Sequence, residues 1–237
     1  MGEVHEHIVR SFDEALEALT ARTAQMGGLA ENQLSCAMDA IVKRDSAIAE
    51  RTIASDAKID ALEVDIETHA YRLLNLRHPM ADDLRLVVAA IKIATDLERI
   101  GDLSKNIAKR ALVLNRSEPV RVTQGLAAMG RQALNQLVEV LDAYSARDTA
   151  KARNVRQRDG AIDEMYNSLF RELLTYMMED PRTIGLCTHL LFVAKNLERI
   201  GDHATNIAET IVFAIEGRYI TDERPKSDVT ASLDIKP

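Results

Sequence analysis

Apolar residues recur at helical spacing along most of the chain, and the clearest stretch lies near its middle. Ile93, Leu97, Ile100, Ile107 and Leu114 follow one another at spacings of three, four and seven residues. At 100° per residue these positions form one apolar face of a helix. The pattern therefore predicts a long amphipathic helix that packs against a helical core.

The predicted helices are separated by prolines and by softer polar breaks. Pro79, Pro119 and Pro181 mark boundaries because proline disfavours helix interiors and restricts the residue before it. Softer breaks fall near Arg44–Asp45 and Arg147–Asp148. Six helical segments result, over 5–43, 46–76, 80–115, 121–145, 148–178 and 182–216. Long helices joined by short connections are typical of antiparallel bundles.

The chain contains an internal duplication. Residues 96–109 and 196–209 are identical at nine of fourteen positions, including an unbroken LERIGD. A period of about 100 residues is too long for a solenoid and indicates two similar subdomains. We therefore predict an all-α fold, a tandem duplication of two antiparallel three-helix bundles. The predicted divisions are 1–117 and 118–217 for the bundles and 218–237 for a polar, mobile tail.

Acidic residues occupy matched positions in the two repeats, on the side of the helix opposite the apolar face. Each forms part of an i, i+4 pair. The four pairs are Asp56–Asp60, Glu98–Asp102, Asp159–Asp163 and Glu198–Asp202. Asn106 and Asn206 extend the two pairs of the LERIGD helices by one further turn. Like charges at this spacing destabilise a helix slightly, so four matched pairs suggest a cation between them.

The candidate chemistry is therefore metal binding by carboxylates, if neighbouring helices bring two pairs of a repeat together. Four carboxylates suit Mg²⁺, Mn²⁺, Ca²⁺ or oxygen-ligated iron. The alternative is a solvated acidic face that Arg99 or Arg199 neutralises. Gly101 and Gly201, in the middle of the motif helices, are best explained by close approach of another helix.

Composition narrows the function classes. The chain of 237 residues has only 4% aromatic residues and 10 glycines, which favours helices over a turn-rich β fold. A net charge of −7 argues against a general nucleic-acid role. Two cysteines, Cys36 and Cys187, are too few for a disulfide framework, and no long apolar run is present. We expect a soluble cytoplasmic protein.

Known catalytic motifs are missing from the sequence. It contains no phosphate-binding loop, no dinucleotide-binding glycine motif, and no cysteine or histidine spacing typical of zinc. His203 directly follows Asp202 and would supplement a metal site, but its counterpart in the first repeat is Leu103. We therefore expect a binding protein rather than an enzyme.

The duplicated LERIGD carries a family resemblance, together with ADDLRL at 81–86 and YMMEDPRTIGL at 176–186. With these motifs the sequence resembles the PhoU family of phosphate-uptake regulators up to about residue 217. The resemblance implies two three-helix bundles, no accepted enzymatic activity and frequent dimerisation. It also implies negative regulation of the phosphate regulon, by coupling the ATPase subunit of the phosphate ABC transporter to a sensor histidine kinase.

The resemblance also bears on candidate residues. Some members of the family hold multinuclear metal clusters on paired acidic motifs, which would correspond to the four pairs named above. The metal would be iron, zinc, Mg or Mn. Asp83, Arg85 and Arg182, near the starts of two predicted helices, are candidate partner contacts, although helix capping would also explain Asp83. The rival interpretations are a metal-dependent phosphohydrolase and a metal-free helical adaptor.

Overall fold

The computed structural model describes residues 2–77, 81–118, 123–222 and 224. In this part of the chain there are eight α-helices and no strands, so the predicted all-α class is confirmed. Their bounds are α1 Gly2–Val42, α2 Ser46–Ser55, α3 Ala57–Arg77, α4 Asp82–Leu114, α5 Thr123–Ala146, α6 Thr149–Gln157, α7 Gly160–Glu179 and α8 Ile184–Glu216. A short 3-10 turn, Pro181–Thr183, precedes α8. Pro79 and Pro119, two predicted boundaries, lie outside the described residues.

Two of the six predicted segments were wrong, because each is broken into two helices. The segment 46–76 is interrupted at Asp56, and 148–178 is interrupted at Arg158 and Asp159. At both breaks the backbone turns more tightly than an α-helix: Ile59 N donates to Asp56 O at 2.8 Å and Arg158 N to Val155 O at 3.2 Å. These bonds span three residues instead of four. The apolar periodicity continues through the breaks, so it gives no sign of them.

The core is built around α4 and α8, the two helices that carry LERIGD. Their apolar faces are fully buried, as the periodicity predicts, with Ile93, Leu97 and Ile100 on α4 and Val193 on α8. The two helices pack against each other, and this contact joins the two repeats. Helices α1, α2 and α3 surround α4, while α5, α6 and α7 surround α8.

The softer breaks are confirmed and have the same geometry in both repeats. Arg44 and Arg147 adopt positive φ values of 54° and 52°, which turn the chain sharply after α1 and α5. Asp45 and Asp148 follow and cap the next helices. The Asp45 carboxylate accepts from Ala47 N at 2.8 Å and the Asp148 carboxylate from Lys151 N at 2.9 Å.

Close helix approach explains the motif glycines, as predicted. A Cβ added at Gly101 would lie 3.0 Å from Ile59 Cδ1, and one at Gly201 would lie 2.9 Å from Ile162 Cδ1. Both distances are shorter than ordinary contact, so α3 and α7 lie directly on the LERIGD segments of α4 and α8. This approach brings the acidic pairs of neighbouring helices together.

The last helix ends at Gly217, whose φ of 69° reverses the direction of the chain. The residues after it contact the body of the fold: Tyr219 stacks on Phe213 with ring centroids 4.2 Å apart. The expected mobile tail therefore begins with residues that contact α8, while 223 and 225–237 lie outside the described part. Among the described helices, none is both long and apolar enough to cross a membrane.

Candidate cation-binding sites

The first repeat brings two acidic pairs together, and we call these residues the first acidic group: Asp56, Asp60, Glu98 and Asp102. Asp56 lies at the break between α2 and α3 and is only 4% exposed. The Lys105 ammonium lies between the two helices, donating to Asp102 Oδ1 at 2.9 Å and also to Asp56 Oδ2. The Asp56 Oδ1 atom accepts from Gln33 Nε2 at 3.0 Å. A lysine of the chain itself thus holds the centre of this group.

The remaining carboxylates of the first group are crowded. Burial raises the pKa of Glu98 above its usual value, and the nearby negative charges of Asp102 and Glu63 raise it further. Burial likewise raises the pKa of Asp60, together with repulsion from Asp56. The hydrogen bonds that Lys105 donates to Asp56 and Asp102 raise the pKa of Lys105, so this amine stays charged. The group therefore has more negative charge than Lys105 neutralises.

The second repeat holds the equivalent second acidic group: Asp159, Asp163, Glu198 and Asp202. Asp159, Asp163 and Glu198 are between 3% and 6% exposed. The position of Lys105 is taken by Thr205, whose hydroxyl donates to Asp159 Oδ1 at 2.7 Å. A neutral hydroxyl thus replaces the ammonium of the first repeat.

The positive charge in the second group comes from Arg224, beyond the last helix. Its Nε donates to Asp159 Oδ2 at 2.6 Å and its Nη2 to Asp159 Oδ1 at 3.0 Å. The same Nη2 donates to Asp202 Oδ1 at 2.6 Å. One guanidinium therefore bridges the carboxylates of α8 and of the break before α7, as Lys105 does in the first repeat.

Glu198 lies next to this bridge in a more apolar setting. Its Oε1 accepts from Lys195 Nζ at 2.9 Å, while its Oε2 is buried without a hydrogen-bond partner. Burial raises the pKa of Glu198, and Lys195 lowers it only in part. Lys195 also lies 4.9 Å from the centre of the Tyr166 ring. The second group is thus more deeply buried than the first.

The helical projection places the acidic residues opposite the apolar face and so predicts that they face solvent. For most residues of the two groups this prediction was wrong. Asp60 is exposed and Asp102 is partly exposed, but the acids of the second group lie mainly between helices. The helical projection placed them opposite the apolar face of α4 and α8. It did not show that α3 and α7 cover that side as well.

The contacts of the two acidic groups show whether these residues, as arranged, could hold a metal ion. In the part of the chain that the structure describes, no three His, Cys, Asp or Glu side chains converge in a metal-holding arrangement. Side-chain cations bridge the carboxylates instead, so the residues as arranged do not fit a bound metal. Metal binding at these residues stays a prediction.

The supplementary ligands take other positions. Asn106 is exposed, whereas Asn206 accepts from Arg224 Nη1 at 3.4 Å. His203 does not join the second acidic group; its Nδ1 lies 2.8 Å from Asp96 Oδ1 on α4. Asp96 and His203 therefore link the two repeats. Arg99 contacts Glu98 and Asp102 at 3.4 and 3.8 Å, which supports its expected role in neutralising the first group.

Sequence reasoning missed two buried glutamines. Gln33 hydrogen-bonds Asp56, and Gln136 Nε2 donates to Thr205 Oγ1 at 3.0 Å. Both lie in the same tripeptide, Asn-Gln-Leu, at 32–34 and 135–137. This shared tripeptide, at the offset of 103 residues that also separates Asp56 from Asp159, was the signal that would have identified them.

The candidate partner residues have local roles. Arg85 donates to Asp82 Oδ1 at 2.6 Å and to Ala214 O at 3.4 Å, so it helps to close the end of α8. Asp83 is not the cap of α4, because the cap position is Ala81. Arg182 is exposed and pairs with Asp180 at 2.9 Å. Their contact with a partner stays a prediction.

Comparisons with known proteins agree with this architecture. The family profile described as the PhoU domain matches twice, at residues 23–111 and 126–211. A "Phosphate-specific transport system accessory protein PhoU homolog" of Caulobacter vibrioides is 53% identical over 225 residues, covering 94% of this chain and 98% of that protein. A homolog of the same name from Rhizobium meliloti is 51% identical over 230 residues, covering 97% of both.

Solved structures are similar as well. The crystal structure of PhoU from Pseudomonas aeruginosa superposes with a TM-score of 0.85 at 38% identity, covering 87% of this chain and all of that one. The phosphate transport system regulatory protein PhoU from Streptococcus pneumoniae gives 0.82 at 32% identity, covering 88% of this chain and 99% of that one. The duplicated fold is therefore that of these proteins.

We expect Lys105→Met to destabilise the protein by about 1–3 kcal/mol, because it removes the cationic partner of the buried Asp56. The double variant with Asp56→Asn should lose much less, since asparagine still accepts from Gln33. Urea unfolding of the two single variants and the double variant measures the coupling. Lys109→Met, at an exposed position of the same helix, is the control. Additive losses would show that Lys105 and Asp56 do not act together.

Glu198→Gln should raise the melting temperature at neutral pH and have little effect near pH 4. A raised pKa means that the native state holds the proton more tightly than the unfolded chain does, so this carboxyl costs stability as pH rises above its usual pKa. Glutamine stays neutral throughout. Melting curves from pH 4 to 8 test this, with Glu164→Gln at an exposed position of α7 as the control. A gain that does not grow with pH would contradict the assignment.

Proposed function

The chain belongs to the PhoU family, and from that premise we propose that it is a regulatory accessory protein of a phosphate-specific transport system. The observation that carries the proposal is the match of both repeats to the PhoU domain, together with relatives named as phosphate-specific transport system accessory proteins over nearly the full chain. Such names describe accessory proteins rather than enzymes. The solved relative from Streptococcus pneumoniae is a phosphate transport system regulatory protein.

We propose further that the protein is a cytoplasmic negative regulator of the phosphate regulon. It binds the ATPase subunit of the phosphate ABC transporter and the sensor histidine kinase, so that a phosphate-replete transporter keeps the kinase from driving its response regulator. The active form is a homodimer. These partners follow from the family resemblance, and the long rigid helices supply surfaces on which two proteins can bind at once.

Exposed apolar side chains support binding as the mode of action. Val64 and Tyr71 lie seven residues apart on α3, so they share one helix face, and they are 62% and 57% exposed. Leu174 and Met178, four residues apart on α7, are 38% and 84% exposed. Leu174 occupies the position in the second repeat that Tyr71 occupies in the first. The two repeats thus offer apolar contact area on equivalent helices.

The contacts of Lys105 and Arg224 favour one alternative, a metal-free helical adaptor. Lys105 and Arg224 form ion pairs with the acidic groups, which supports an adaptor whose buried carboxylates have cationic partners without a metal. In this version, partner binding is the same with and without metal. The phosphohydrolase alternative would require turnover of a phosphate ester by metal-loaded protein, which a phosphatase assay measures directly.

Deletion of the gene should derepress phosphate-starvation genes in medium rich in phosphate, because the kinase would no longer be restrained. A reporter for such a gene measures the effect, and expression of the intact chain should restore repression. Normal repression in the deletion strain would overturn the regulatory proposal.

A pull-down tests whether the protein binds its two proposed partners directly. The purified chain should retain the transporter ATPase and the sensor kinase, and Tyr71→Ser should weaken retention if α3 forms the contact. Lys109→Met serves as the matched surface control. Light scattering of the same preparation gives the oligomeric state. Repression in the cell without retention of either partner would reject direct coupling.

A further inference from the structure

One end of the contact between α4 and α8 carries a cationic side chain whose partners are all neutral. Arg110 reaches from α4 to α8, where its Nη1 donates to His189 Nδ1 at 3.2 Å and its guanidinium lies 4.1 Å from the centre of the Phe192 ring. A guanidinium only donates, so the accepting nitrogen of His189 carries no proton and the ring is neutral. Neither contact therefore neutralises the positive charge of Arg110.

The sequence around Arg110 does not supply a balancing charge. Residues 103–117 contain four basic residues and no acidic one, and residues 184–197 of α8 contain no acidic residue either. Burial lowers the pKa of Arg110, and none of the described carboxylates pairs with this side chain. Although the whole chain has a net charge of −7, this surface is positive and favours an acidic ligand.

Exposed apolar side chains and open space lie beside this charge. Phe192 is 50% exposed, and Val113, three residues after Arg110 on the same helix face, is 42% exposed. Gly185 lies one turn before His189, and a Cβ added there would meet no atom within 4 Å. We call these five residues, on one end of the contact between α4 and α8, the Arg110 patch.

At the other end of α4 and α8, the chain itself covers the equivalent surface. Phe213 is the counterpart of Val113, at the offset of 100 residues that relates the two LERIGD motifs. Tyr219, in the segment after α8, stacks on the Phe213 ring with centroids 4.2 Å apart and an angle of 15° between the rings. Ile220 beside it packs against the core. A short segment with an aromatic residue is thus bound to this face.

The same segment also occupies the place that corresponds to the open space of the Arg110 patch. Arg85 is the counterpart of Gly185, and a Cβ added at Gly217 would lie 3.1 Å from Arg85 Cζ. In the Arg110 patch the position is glycine, and the exposure of Val113 and Phe192 shows that the described residues do not cover them. One end of the helix pair is therefore covered and the other is open.

We propose that the Arg110 patch binds a short acidic segment of a partner protein, with an aromatic side chain against Phe192 and Val113 and a carboxylate on Arg110. The segment after α8 shows how such a chain lies on the equivalent face. The basic residues around Arg110 select for a partner that brings negative charge. The inference rests on these contacts and does not depend on the proposed regulatory function.

Selection of displayed peptides tests the proposal. A library of random short peptides on phage is selected against the immobilised full chain, and enriched peptides should share an acidic residue close to an aromatic one. A labelled synthetic copy of the most enriched peptide should then bind the natural chain in an anisotropy titration. This binding should weaken as the salt concentration rises, because salt screens the charge of Arg110.

Two variants locate the binding. Arg110→Met and Phe192→Ser should each weaken binding of the labelled peptide about tenfold or more, as expected when an anchor residue of an interface is removed. Lys92→Met, at the exposed counterpart of Phe192, is the control and should bind like the natural chain. Melting curves check that each variant is folded, and either folded variant decides the outcome.

Three results would overturn the proposal. They are the absence of any enriched peptide, enriched peptides without acidic residues, and equal binding of the peptide by the natural chain and a folded Arg110→Met or Phe192→Ser variant. Neither the transporter nor the kinase takes part in these measurements, so their outcome is separate from that of the regulatory proposal.

Discussion

Asp56 and Asp159 are buried where two helices of each repeat cross, and the rest of both sites is arranged around them. Each lies at a break between two helices, three residues before the isoleucine, Ile59 or Ile162, that packs against the motif glycine. A carboxylate in that position requires hydrogen bonds and a nearby cation. Gln33 and Lys105 meet this requirement for Asp56, and Thr205 and Arg224 meet it for Asp159.

The two repeats satisfy the same requirement with different residues. In the first, a lysine follows LERIGD and reaches the carboxylates, while Thr95 lies before the motif. In the second, Lys195 lies before the motif and pairs with Glu198, and Thr205 follows it. The two lysines are therefore ten positions apart in the repeat. Lys105 contacts Asp56 and Asp102, whereas Lys195 contacts Glu198. The two repeats thus keep the same backbone arrangement but place their positively charged side chains at different positions.

Much of the fold follows from the sequence, because apolar periodicity, proline and an internal repeat record helix faces, boundaries and duplication. The sequence also showed the four acidic pairs and the motif glycines, and within each repeat the structure brings the two acidic pairs close to each other. The breaks at Asp56 and Asp159 were not visible, since they do not disturb the periodicity. The role of Arg224 was hidden for another reason: a single arginine in a polar stretch carries no pattern, and its contact depends on the reversal at Gly217.

The contact of Arg224 with Asp159 also constrains how the two halves diverged after duplication. If the ancestral repeat had lysine at this place, its replacement by threonine in the second half was tolerable only once the C-terminal arginine, or another cation, was present. If the ancestral repeat had threonine, the first half later gained Lys105, and the ancestor needed another cation beside the buried aspartate. In both cases the two halves are no longer interchangeable. Exchanging α4 and α8 would place Lys105 beside Asp159, which already has Arg224, and would leave Asp56 with only a threonine.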